Sequence, residues 1–74
     1  MSRYQELQHL EEQFTWNVCP RQGHVAFAAE PQTEEAAAMT AEDVLLLASA
    51  GEAVLGGHCQ KTPQGGFVGR YNTD

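Results

Sequence analysis

Cys19, His24, His58 and Cys59 are the side chains in this sequence best suited to bond making or metal binding. Zinc takes thiolate and imidazole ligands in a tetrahedron, usually from two short knuckles that the fold brings together. Cys19 and His24 could supply one knuckle, His58 and Cys59 the other. The second pair is adjacent in sequence, which directs the two side chains apart and makes poor chelating geometry. The same cysteines permit a disulfide. It would close a loop of about 40 residues and add roughly 3–4 kcal/mol in the chain-entropy description. They also permit a nucleophile, with Cys19 or Cys59 activated by His9, His24 or His58. That chemistry needs a base within hydrogen-bond reach, an oxyanion donor and a pocket. A chain of 74 residues leaves little room for such a pocket.

The run Cys19-Pro20-Arg21-Gln22-Gly23 resembles the C-P-x-C-G knuckle of zinc ribbons over these few residues, with Gln22 where the second cysteine of the knuckle stands. The resemblance implies a zinc-stabilised domain built on Cys19, His24, His58 and Cys59 as the alternative reading of the chain. No basic segment followed by an apolar one opens the sequence, so a secretory leader is not expected and the expected location is cytoplasmic. In that reducing setting the default is two free thiols behaving as small apolar residues. No cofactor is expected. Gly56-Gly57 and Gly65-Gly66 fit neither of the glycine-rich phosphate-binding patterns.

Charge is the stronger signal. Ten acids stand against four bases, for a net charge of -6. Between residues 30 and 52 lie Glu30, Glu34, Glu35, Glu42, Asp43 and Glu52, with no lysine or arginine among them. Outside that window acids and bases balance, so the whole net charge resides in one central segment. A directional negative field steers a positively charged partner. The plainer role for the same carboxylates is to favour helix starts and solubility. Direct nucleic-acid binding is not expected, because Arg21, Lys61 and Arg70 are too few to neutralise a phosphate backbone. Trp16, Phe27, Phe67 and Tyr71, which could stack on bases, are better read as core. No apolar run is long enough to span a membrane.

The elements that position these residues follow from periodicity. Ser2 to Gln13 reads as a helix, capped by Ser2 with Gln5 three residues on, and striped by Tyr4, Leu7, Leu10 and Phe14. Phe14, Trp16 and Val18 then alternate with Thr15 and Asn17, as a strand does. Pro20-Arg21-Gln22-Gly23 supplies turn residues, and alternation resumes from His24 to Ala29, giving a hairpin with a loop of about four residues. Pro31 ends the second strand. Thr33 can cap a short helical turn reaching Met39. Thr40 offers another N-cap, with Asp43 in capping-box position, for a helix over Ala41 to Leu55. Whether residues 33–55 form one helix or two is open at this level. In the long helix Val44, Leu47, Ala48, Val54 and Leu55 form a stripe, Leu46, Ala50 and Ala53 widen it, and Leu45 lies apart. Gly51 within it suggests close packing, and Gly56-Gly57 ends it. Lys61 to Gly66 reads as a loop and Phe67 to Tyr71 as a third strand.

The expected fold is therefore α+β: one small domain over residues 1–74, in α-β-β-α-β order. A three-stranded, mostly antiparallel sheet carries helices on one face, and residues 72–74 fray. The expected function is non-catalytic. The chain would bind and modulate, or inhibit, a protein with a basic surface through Glu30, Glu34, Glu35, Glu42, Asp43 and Glu52. Small acidic inhibitors of phages and mobile elements, which can occupy a nucleic-acid-binding surface, have this composition. A homodimer is a further expectation, with Val44, Leu47, Val54 and Leu55 as its seam.

Overall fold

The computed structural model describes residues 2–52 and 54–73. In chain order it contains α1 (Arg3–Leu7), a 3₁₀ segment (Gln8–Gln13), β1 (Phe14–Arg21), β2 (His24–Pro31), α2 (Glu34–Ala37), α3 (Ala41–Ala48), β3 (Gly57–Lys61) and β4 (Phe67–Asn72). The strands form one antiparallel sheet in the order β1-β2-β4-β3. The α+β class with an antiparallel sheet and helices is as expected. The sheet has four strands instead of three, and the central region, where one helix or two was left open, carries two.

The N-terminal capping box forms as the sequence predicts. The Gln5 N–H donates to Ser2 Oγ at 3.2 Å, and the Ser2 N–H donates to Gln5 Oε1 at 3.0 Å. Beyond Leu7 the α-helix tightens to 3₁₀. Tyr4, Leu7 and Leu10 are spaced by threes, and three residues per turn stacks such a series along one line. Leu7 and Leu10 are both buried.

Pro20 and Arg21, read as turn residues, belong to β1. The hairpin pairs Arg21 with His24, so its loop is only Gln22-Gly23. Gly23 supplies the positive φ of +84° that the turn requires. The ladder tolerates Pro20 because β1 is an edge strand. Gln32 N–H donates to Gln13 O at 2.8 Å, one step beyond the Phe14–Pro31 pair. Bonded pairs alternate along an antiparallel ladder, so even-numbered β1 residues direct their backbone groups away from β2. Proline's missing N–H costs the hairpin nothing there.

Residues 33–55 resolve as two helices with separate caps. Thr33 Oγ1 accepts from Ala36 N–H and Thr40 Oγ1 from Asp43 N–H, each at 3.1 Å. α3 stops at Ala48, well short of Leu55. Gly51 N–H reaches Leu46 O and Ala50 N–H reaches Leu47 O, each at 3.0 Å, the reversed pattern of a helix end. Ala50 (φ 56°) and Gly51 (φ 74°) are both left-handed. The close packing suggested by Gly51 is present, since a Cβ there would lie 2.7 Å from Tyr4 Cγ. Ala53, assigned to the helix from the sequence, lies outside the described residues.

β3 is the element the sequence did not announce. Of its five residues Gly57, Cys59 and Lys61 face inward, so no apolar alternation marks it. Glycine at 57 lets α3 lie directly on the strand, where a Cβ would meet Leu45 Cδ2 at 3.0 Å. Leu45, expected to lie apart, packs against the core. Asn72 and Thr73, expected to fray, are tied down. Asn72 N–H donates to Gly56 O at 2.7 Å and Thr73 N–H to Gly23 O at 2.9 Å. Asp74 lies outside the described residues.

The core fills the space between the helices and one face of the sheet. Phe14, Phe27, Ala29 and Phe67 from the strands meet Leu7, Leu10, Ala36, Met39, Val44 and Leu47. The rings form a chain. Phe14 stands 5.3 Å from Trp16 and 6.0 Å from Phe67, and Phe27 stands 6.3 Å from Trp16 and 6.4 Å from Tyr71. The aromatics are thus core, as expected. Val44 and Leu47, two of the four residues of the expected dimer seam, are buried in it, whereas Leu55 is 73% exposed.

Gly69 sits opposite Phe27 and Cys59, and the Phe27 ring occupies the place of a side chain there. A Cβ at 69 would meet Phe27 Cζ at 2.8 Å and collide with His58 O. Gly69→Ala is expected to cost about 1–3 kcal/mol of unfolding free energy by urea titration. Asn17→Ala, on the exposed opposite face, should stay within about 0.5 kcal/mol.

Candidate functional site

The register sorts the side chains of the sheet between two faces. On the face away from the helices lie the rows Asn17–Ala28–Val68–Gln60, Cys19–Ala26–Arg70–His58 and Arg21–His24–Asn72. This face meets solvent. It holds a shallow groove of about 620 Å³, bordered by Thr15, Asn17, Glu30, Thr62, Gln64 and Val68. The groove offers hydroxyls, amides and one carboxylate, and neither cysteine borders it.

The six acidic residues singled out from the sequence occupy four places. Glu30 ends β2 on the open face, opposite Thr15. Glu34 and Glu35 stand in the first turn of α2, and Glu42 and Asp43 in the first turn of α3. Glu52 follows the end of α3. Five of these are exposed. Asp43 is not, because it is taken by Arg3. The guanidinium donates from Nη2 to Oδ2 at 2.9 Å and from Nε to Oδ1 at 3.4 Å, joining α1 to α3. Hydrogen bonding and charge from Asp43 raise the Arg3 pKa further above its ordinary value. Asp43 therefore leaves the set available to a partner.

Glu11 and Glu12 join the acidic end instead. Gln32 N–H bonds Gln13 O, Thr33 Oγ1 bonds the Gln13 side chain, and His9 Nε2 lies 3.8 Å from Glu35 Oε2. These bonds seat the 3₁₀ segment against the start of α2. Read along the chain, Glu11 and Glu12 belong to a solvated helix face far from residue 34. Only the hairpin register, which sets Gln13 beside Gln32, brings the two segments together.

Two of the four bases, Arg21 and Arg70, separate from the acids, whereas Arg3 pairs with Asp43 and Lys61 lies at α2. Lys61 reaches inward across the Phe67 ring, 5.3 Å from its centroid, and donates to Ala37 O at 3.0 Å, which closes the end of α2. Arg21 and Arg70 lie on the open face with His24 and His58, all toward the hairpin turn. None of these four is paired with a carboxylate among the described residues. From His24 to Glu30 is six residues of β2, or about 20 Å along the strand. The molecule is polarised along its strands, with an acidic end at β2's close and α2, and a basic end at the β1–β2 turn.

The four candidate zinc ligands are not brought together. Cys19 and His58 share a row, but β2 and β4 lie between their strands, which places them about 14 Å apart. Cys59 points to the opposite face from His58. Among the described residues no group of three or more metal-binding side chains assembles. Cys19 and Cys59, on opposite edges and opposite faces, are beyond disulfide reach and are free thiols. Burial pushes the Cys59 thiol up to about 11, the reverse of what a nucleophile needs. Among the described residues no helix is long and apolar enough to cross a membrane. No family model, curated protein or solved structure matches the chain.

The raised Cys59 pKa makes the unfolded state lose its proton first, from about pH 9. Unfolding free energy is therefore expected to fall as pH rises from 9 to about 11. Denaturant titrations of Cys59→Ala across the same range should lack that component of the decline.

Proposed function

We propose that the chain is a non-catalytic binding module whose acidic end occupies a basic surface of a protein partner and so modulates or blocks it. A surface otherwise used for nucleic acid is the natural target, since its clustered lysines and arginines are what such an end complements. Composition alone aligns this reading with the small acidic inhibitors of phages and mobile elements. The observation that carries it is the polarity described above. Glu30, Glu34 and Glu35 stand exposed at β2's close and α2, Glu12 is exposed on the adjoining segment, and the unpaired arginines lie at the other end, while Glu42 borders His58 and stands apart from this set. A charge distribution of this kind orients the molecule before contact and raises the rate of productive encounter. The non-catalytic part is supported by the thiols, since no hydrogen bond joins either cysteine to a histidine among the described residues.

Affinity capture from the native host, followed by titration of the purified partner, tests the reading. Reversing Glu30, Glu34 and Glu35 to Lys is expected to weaken binding at least roughly tenfold and to flatten its salt dependence. The circular-dichroism spectrum should not change. Asp43 is left in place because its loss would release Arg3 and α1. Unchanged affinity in the triple variant removes the acidic end from the interface.

A further inference from the structure

β1 is an outer strand of the sheet, eight residues long, with β2 beside it. The ladder phase identifies the backbone groups it leaves over. Thr15, Asn17, Cys19 and Arg21 bond to β2, and Phe14, Trp16, Val18 and Pro20 face outward. Both ends of this outward row lack a free donor. Phe14 N–H already donates to Glu11 O. Pro20 has no N–H, and its carbonyl accepts from the Arg21 guanidinium at 3.3 Å. What remains in the middle of the strand is the N–H and C=O of Trp16 and of Val18, with the Phe14 C=O beyond them. The side chains of these two residues lie on the core face. Val18 is 52% exposed there beside a half-buried Trp16, so the apolar layer ends at this edge uncovered.

We propose that a second copy of this chain pairs with β1 in antiparallel fashion, joining the two sheets into one of eight strands. Trp16 of each copy stands opposite Val18 of the other, about a two-fold axis at Asn17. One register pairs all four of the Trp16 and Val18 groups. With Trp16 opposite Trp16, Val18 would face Phe14, whose N–H is taken. With Val18 opposite Val18, Trp16 would face Pro20, which has no N–H. The Trp16–Val18 register makes four hydrogen bonds and covers each exposed Val18 with an indole.

The charge distribution selects the direction. Antiparallel pairing sets the basic end of one copy, with Arg21, beside the acidic end of the other, with Glu12. Parallel pairing would set like charge beside like. The other sheet edge suits a partner less well. β3 is short, begins at Gly57 and turns Lys61 inward over Phe67. The contact is isologous, so it closes on itself and stops at two copies.

Sedimentation equilibrium of the whole chain reads this directly. The mass is expected to rise toward twice that of the monomer as concentration approaches the millimolar range, and to fall back with added salt. Val18→Pro removes an N–H that the β1–β2 ladder does not use, and is expected to weaken association roughly tenfold or more with unchanged circular dichroism. Val18→Lys, which keeps the backbone intact, should act in the same direction. To fix the register, Asn17→Cys is placed in a Cys19→Ser, Cys59→Ala background. The two Cα atoms at the axis should lie about 4.5 Å apart, close enough for a disulfide, so mild oxidation should yield a covalent dimer. A monomer mass at every concentration overturns the proposal. A dimer that survives both Val18 variants, or one in which residue 17 fails to cross-link, overturns it as well.

Discussion

Everything in this domain depends on one apolar surface, the helix-facing side of the sheet. Three short helices and a 3₁₀ segment have no stability of their own at these lengths and persist because they cover it. The surface is built from rings: Phe14, Trp16, Phe27, Phe67 and Tyr71 run across β1, β2 and β4. Rings this large need gaps, and two glycines provide them. Gly69 leaves space for Phe27, and Gly57 leaves space for Leu45 above β3. Polar groups tie down the margins of the same surface. Trp16 Nε1 donates to Glu11 O at 3.0 Å and Tyr71 Oη reaches Ala48 O at 3.5 Å, so the amphipathic rings anchor the segments that flank them.

The features legible in the sequence were those with a local physical cause. The capping box at Ser2 and Gln5, the caps at Thr33 and Thr40, and the alternation through Phe14–Val18, Val25–Ala29 and Phe67–Tyr71 all act over a few residues, and all appear in the fold. The features that escaped depend on distant partners. Pro20 reads as a turn unless its N–H is known to face away from β2. Gly57–Lys61 reads as linker because its inward positions hold a glycine, a cysteine and a lysine stem. β4 makes it a strand by offering an open edge. α3 ended early because Ser49, Ala50 and Gly51 closed it, while the Gly56-Gly57 pair was the more conspicuous stop signal.

The site was legible as composition and only partly as place. The confinement of net charge to residues 30–52 was plain, and most of those carboxylates do reach solvent. Asp43 could not be separated from the rest, since its partner Arg3 lies forty positions away. Glu12 could not be added for the same reason. The basic end was also hidden. Arg21, His24, His58 and Arg70 are scattered in sequence, and only the order β1-β2-β4-β3 gathers them on one face. Conversely, the cysteine–histidine reading failed on geometry, because pleating sends His58 and Cys59 to opposite sides.

The turn closing α3 places Ala50 in the left-handed region, where its methyl crowds the backbone at a cost of about 1–2 kcal/mol. Ala50 is exposed and packs nothing in return. The domain thus stands below its attainable stability at a position outside the acidic end and the β1 edge. That reserve makes residue 50 a natural point for engineering a hardier scaffold, with glycine as the obvious replacement.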